Sequence, residues 1–268
     1  MRQVNIGIDD FFEGLPKSTS TMKSDENISI EFSDLSRMIS EAVVVLDFQK
    51  RKIQYVSSNY LFLCGFTPEK VKEEGYDFFK LILHPEDLLL WRDIHIAILK
   101  SLYNNQLPVK NIIFFGCTLR IRNFLSYKDK NPDYIMVYLK IKPKFLNGIP
   151  LYGICLVSIS VVPKSGNLCV FYNNNNYSRY NVNAKMWKLH PLTPLSRKEL
   201  QILIWSHAGL TNVEMAAKLC QSVKVIEKTK TSLFEKLIFY DEFNLNSFSK
   251  KLQFALNRCL IYQSPVNE

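Results

Sequence analysis

Apolar and polar positions change rhythm several times along this chain, and each change marks an element. AVVVLD at 42–47 is a short unbroken apolar run, the pattern of a buried strand, and KIQYVS at 52–57 reads as a second strand. FSDLSRMIS at 32–40 predicts a helix leading into the first of them. Between Ser58 and Leu83 the rhythm is broken by Gly65, Pro68 and Gly75, so several short helices are expected there. HPEDLLLWRDIHIAILKSLYNNQ at 84–106 is the one long helix, with Leu88, Trp91, His95 and Leu99 on a stripe. Three longer strands follow, near 109–122, 134–145 and 149–162, the last two joined by FLNGIP with its Asn-Gly hairpin turn.

Past residue 195 the rhythm becomes helical throughout. Ser196 and Glu199 form a capping box that starts a helix, Leu200, Leu203 and Ile204 fall at helical spacing, and Gly209 ends it. Thr211 or Asn212 caps a second helix that turns Met215, Ala216 and Leu219 inward. Ser222 caps a third, whose buried stripe is Val223, Ile226, Leu233, Phe234 and Leu237. Its other face holds Lys224, Glu227, Lys228, Lys230, Thr231 and Lys236. A further stretch, 246–263, puts Phe248, Leu252, Ala255, Leu256, Cys259 and Leu260 at helical spacing, suited either to closing this helical core or to pairing two copies of the chain.

Two segments carry less pattern. Residues 1–30 are mixed, with STSTMKSDEN at 18–27 reading as a flexible lead-in. Residues 163–192 are an Asn- and aromatic-rich connector: four consecutive Asn favour a turn, while Phe171, Tyr172, Tyr177, Tyr180 and Trp187 are too many for an inert tether, so a hairpin packed on one of the domains is expected.

A chain of 268 residues, 47% hydrophobic, has the material for about two domains. Its net charge of +9 favours an anionic partner. Residues 195–238 hold seven Lys or Arg against four Glu, and the excess gathers on the third helix, where a phosphate backbone would lie. The first residues lack a basic start followed by an apolar core, and no stretch is long and apolar enough to span a membrane, so a cytoplasmic protein without a membrane partner is expected. The cysteines show no CxxC pair and no His partner at zinc spacing; they read as buried thiols, with no metal expected.

The strings LSRKE, AGLTNVEMAAKL and SVKVIEKTKTSLFEKL resemble the four-helix helix-turn-helix domain of the LuxR/NarL family of bacterial transcription factors. The resemblance implies double-stranded DNA as partner and a homodimer. Its base-reading positions fall on Glu227, Lys228 and Thr231, with Lys224 and Lys230 near phosphates and Val225 and Lys236 on the same helix. Thr229 stands where that family usually has His, and Val225 where it usually has Thr. VVVLD, IQYVSSNYLFLCGFTPEKV, HPED and LRIRN resemble a PAS domain over residues 31–162, which implies an antiparallel sheet with helices on one side and a cleft that either holds a small ligand or is packed shut. The fold class expected is therefore α+β: a PAS-like five-stranded antiparallel sheet at 31–162, then an all-α four-helix domain at 193–264.

Candidate chemistry elsewhere is sparse. His95 on the long helix stands where haem-bearing PAS members place a ligand, but a lone His on an apolar face is more often a packed one, and no cofactor is expected. Cys64 lacks the string of flavin-bound members and reads as core, and His84 and Asp87 read as helix capping rather than acid–base chemistry. With no kinase or receiver pattern either, the reading is a DNA-binding regulator and not an enzyme. The alternative is a protein-interaction module whose N-terminal region docks a partner. Phe62, Phe66 and Trp91 predict an apolar interior to the sheet domain.

Overall fold

A computed structural model describes residues 6–15, 32–126, 132–192, 194–237 and 247–257. The chain divides into two compact units, Met1–Ile159 with Lys164–Asn174 and Ser178–Leu189, and Ser160–Pro163 with Asn175–Tyr177 and His190–Glu268. The Ser/Thr-rich stretch 18–27 lies outside the described residues.

After a helix α1 at 32–37, the strands β1 (Ala42–Asp47) and β2 (Lys52–Val56) form a hairpin. Short helices α2 (Tyr60–Leu63), α3 (Pro68–Glu74) and α4 (Phe78–Ile82) lead to the long helix α5 (Pro85–Tyr103). Strands β3 (Ile112–Arg122), β4 (Tyr134–Leu146) and β5 (Ile149–Ile159) follow, then β6 (Gly166–Tyr172), β7 (Asn176–Asn181) and β8 (Met186–Pro191). The β4–β5 turn is the Asn-Gly pair, Asn147 and Gly148 both at positive φ, as a two-residue hairpin requires.

The five-stranded sheet is corrected by this structure. One eight-stranded antiparallel sheet runs in the order β2-β1-β5-β4-β3-β6-β7-β8, so the expected PAS-like sheet followed by four helices does not describe the fold. The physical reason lies in β3. Its 11 residues leave one long edge beyond β4, and an open edge of that length recruits any segment able to pair. GNLCVFY supplies one: Phe114 pairs with Phe171 and Phe115 with Val170 in antiparallel register. The connector therefore extends the sheet, and its β7–β8 hairpin is also tied back to α5 through Trp187.

The sheet buries one face against α5. Trp91, Ile94, His95, Ile98 and Leu102 of the helix are buried with Phe78, Phe79, Phe115, Leu119 and Ile141. Into this interior the N-terminal turn Ile8–Phe12 inserts Phe11 and Phe12, both buried, whose rings lie 5.6 and 5.1 Å from Tyr76 and 6.0 and 5.1 Å from His95. Among the described residues, aromatic rings pack this part of the interior.

His95 is fixed within that packing. Its Nδ1–H donates to the carbonyl of Phe11 at 2.9 Å, and Nε2 accepts from the Tyr76 hydroxyl at 3.2 Å. Burial, only partly opposed by the Phe11 bond, lowers its pKa to about 4. Asp87 secures the other end of the sheet. Its carboxylate accepts from the Arg120 backbone and guanidinium and from Ser165 Oγ at 2.6 Å. Burial works against that charge, but these bonds outweigh it and hold the pKa below the usual carboxylate value.

The second unit contains helices α6 (Arg197–His207), α7 (Asn212–Lys218), α8 (Val223–Leu237) and α9 (Phe248–Asn257). Ser196 caps α6 and Thr211 caps α7, each in a reciprocal box with a glutamate three residues on. Gly209, at φ +84, takes the left-handed turn after α6. Leu195, Ile202, Leu203, Met215, Ile226, Leu233, Phe234 and Phe254 are buried. Ile204, expected inside, is 46% exposed, because the face that turns inward is Glu199, Ile202, Leu203 and Ser206.

Two predictions follow from the sheet unit. Truncating the plug by Phe11→Ala should cost about 3–5 kcal/mol in urea unfolding, as for a core phenylalanine, whereas Met38→Ala, 82% exposed, should stay within about 0.5 kcal/mol. Because the folded-state pKa of His95 lies below its unfolded value, its neutral form stabilises the fold above pH 6.5, and that contribution is lost as pH falls toward 4. Between pH 7 and pH 5 the wild type should lose about 2 kcal/mol more stability than His95→Gln; equal losses would show that His95 is not buried neutral.

Candidate nucleic-acid interface

Helix α8 begins after a tight turn in which Cys220 sits at φ 50 and the Gln221 N–H bonds the carbonyl of Ala216. Ser222 Oγ accepts from the Val225 N–H at 3.4 Å, a loose cap on the first turn. The helix then buries Ile226, Leu233 and Phe234 and exposes Lys224, Val225, Glu227, Lys228 and Thr231. At 100° per residue, Lys224, Lys228 and Thr231 fall on one line, with Glu227 beside them.

The two expected phosphate contacts part company here. Lys224 and Lys228 are exposed, and their ammonium groups have no partner among the described residues. Lys230 is half-buried: it donates to Asn212 Oδ1 at 2.6 Å and lies over the Phe248 ring at 4.3 Å. Burial lowers its pKa, opposed by the charge of Glu227. Lys236 is committed as well, paired with Glu199 at 2.8 Å. The structure thus gathers Lys224, Val225, Glu227, Lys228 and Thr231 on an open face, and holds Lys230 and Lys236 inside the helical packing.

Two hydroxyls on α8 are also engaged. Thr229 Oγ1 donates to the carbonyl of Val225 at 2.8 Å and Thr231 Oγ1 to that of Glu227 at 3.1 Å. Thr231 therefore turns a methyl and a lone pair outward, with its proton already used.

Glu199 explains why Lys236 is held. It accepts from the Ser196 N–H at 2.9 Å and from Lys236, so the first turn of α6 is tied to the last turn of α8. Burial pushes its pKa up, but Lys236 and Ser196 together bring it below the usual glutamate value. The capping box was visible in the sequence; the third partner, 37 residues away, was not.

Elsewhere the candidate groups are occupied. Both nitrogens of His95 are bonded, which leaves neither for a haem iron. Burial pushes the Cys64 thiol up to about 12, away from nucleophilic use. His84 Nδ1 accepts from the Glu86 N–H as the cap of α5. Of the stripe expected to pair two copies, Ala255 is buried, Leu252 half-buried and Phe248 40% exposed; Cys259 and Leu260 lie outside the described residues, as does the side chain of Leu256. No helix of the described residues is long and apolar enough to cross a membrane.

No protein-family model matches the chain, and no curated protein matches it. Among solved structures it is similar to VqmA of Vibrio cholerae in complex with ligand and DNA, at 11% identity over 88% of this chain and 91% of that one, with a TM-score of 0.34. A second is the V. cholerae VqmA dimer without target DNA, described as a LuxR-type receptor, at 12% identity, 88% and 93% coverage and a TM-score of 0.33. A third is a phage VqmA–DPO complex, at 12% identity, 88% and 94% coverage and a TM-score of 0.26. At such scores the site stands on its own residues.

The division among the lysines is measurable without any ligand. Lys236→Ala should lower unfolding stability by about 1–2 kcal/mol, since it leaves a buried carboxylate short of its partner, and Lys230→Ala by about 1 kcal/mol. Lys224→Ala and Lys228→Ala should stay within about 0.5 kcal/mol. Four equal effects in urea denaturation would contradict the placement.

Proposed function

We propose that this protein is a sequence-specific DNA-binding transcription regulator without catalytic activity, in which α8 reads the major groove, the N-terminal unit receives the signal, and the working form is a homodimer. The observation that carries the reading is the open face of α8: two ammonium groups without a partner among the described residues, a carboxylate and a threonine methyl on one side of a helix whose other side is anchored by Ile226, Leu233, Phe234, Lys230 and Lys236. Free lysines beside base-edge readers are what a phosphate backbone and a groove require. In that role Lys228 and Glu227 contact base edges, Thr231 and Val225 offer apolar contact, and Lys224 neutralises phosphate. Two copies would place two such helices on half-sites about one DNA turn apart.

A protein-interaction reading has one observation in its favour. Ile204, Val213 and Val225 are exposed on the helical unit at 46%, 66% and 40%, and aliphatic side chains suit a protein surface as well as a thymine methyl.

Selection of bound duplexes from a random pool, followed by affinity titration over a range of salt, separates the two. On the selected duplex, Lys228→Ala and Thr231→Ala should each cost about 1–3 kcal/mol and relax sequence preference. Lys224→Ala should weaken selected and random duplexes alike and reduce the salt slope by about one. Recovery of no duplex, or binding unaffected by all three substitutions, would contradict DNA reading by α8.

A further inference from the structure

The sheet unit contains a cavity of about 400 Å³ that the interior packing does not use. It lies on the outer side of α5, beside Glu13 and under the β7–β8 hairpin. Trp187 of β8 anchors that hairpin: its Nε1–H donates to Ser101 Oγ of α5 at 2.7 Å, and its ring lies 6.0 Å from Phe115 and 5.0 Å from Tyr180. The indole ties the hairpin to the helix and leaves the hollow beside it.

The lining sorts into three parts. Ile96, Ala97, Val182 and the Tyr180 ring give an apolar surface of a size for one flat small molecule. Arg92 and Asp93 neutralise each other at 2.8 Å, and Ser101 is used up between the Ala97 carbonyl and Trp187. What remains is Lys100 and Lys185 against Glu13, an excess of one positive charge, with the Asn104 and Gln106 amides near by. Neither lysine has an ion-pair partner among the described residues, and the Lys100 ammonium lies over Gly14, which has no side chain to occupy that space. Lys185 is the last residue of the hairpin turn, at φ 52, with the turn pinned by the Ala184 N–H on Asn181 Oδ1.

We propose that this cavity is a binding site for a small aromatic carboxylate, its ring on Tyr180, Ile96, Ala97 and Val182 and its carboxylate between Lys100 and Lys185. Size selects one ring system, and the unbalanced positive charge selects an anion. Burial, reinforced by the charge of Asp93, raises the Tyr180 pKa and keeps its hydroxyl a donor at neutral pH. This site is separate from the interior that Phe11 and Phe12 pack and does not depend on the DNA-binding reading.

The test uses the full chain and isothermal titration calorimetry with benzoate, salicylate and indole-3-acetate, each beside its neutral amide. At least one carboxylate should bind with a Kd at or below about 1 mM, its amide should bind about tenfold or more weakly, and Lys100→Gln/Lys185→Gln should bring the two to equal affinity. Both lysines are exposed, so that variant should keep the wild-type unfolding midpoint. Tyr180→Ala is the second variant and should weaken carboxylate and amide together. No binding by any carboxylate at 10-fold that concentration, equal affinity for acid and amide, or unchanged affinity in the double-lysine variant would each overturn the proposal.

Discussion

The DNA-reading account depends first on Glu199. This one buried carboxylate closes the box that starts α6 and receives Lys236 from the last turn of α8. It therefore decides which cations of α8 are structural. With Lys236 drawn to Glu199 and Lys230 drawn to Asn212 and Phe248, the helix cannot rotate about its axis without parting the Glu199 carboxylate from Lys236, and a buried carboxylate left without its partner is costly. The direction in which Lys224, Glu227, Lys228 and Thr231 point is set by bonds on the opposite side of the helix.

In the sheet unit the equivalent constraint is aromatic. Phe11 and Phe12 fill the space between α5 and the sheet, the Phe11 carbonyl fixes the tautomer of His95, and His95 in turn takes the Tyr76 hydroxyl. A neutral, doubly bonded histidine is a core residue. The outer side of α5 is built differently, with charged and amide groups around a hollow, because the hairpin is anchored there at one indole and spans the rest.

Much of this architecture was legible in the sequence where local signals decide it. The strands at β1 and β2, the Asn-Gly turn, the long helix and the Ser196–Glu199 capping box each rest on a few consecutive residues, whereas the second box, Thr211 with Glu214, appears only in the structure. The eight-stranded sheet was not legible, because β6 pairs with β3 about 50 residues away, and four consecutive Asn read as a loop from either side. IGIDDFF has too short an apolar run to show that its two rings enter a core. The inward face of α6 was misread by one or two positions, since Ile202 and Ile204 are equally apolar and only Glu199, turned inward to meet Lys236, breaks the tie. For the candidate site the exposed residues of α8 were legible as a charged face, whereas the removal of Lys230 and Lys236 from it required partners on other helices.

The most direct measurement is lysine footprinting: brief acetylation of the native protein with and without a selected duplex, read by mass spectrometry at each lysine. DNA reading by the open face of α8 predicts that Lys224 and Lys228 react readily in the free protein and are protected on the duplex, while Lys230 and Lys236 react slowly in both. Equal reactivity of Lys224 and Lys228 with and without bound DNA would contradict it.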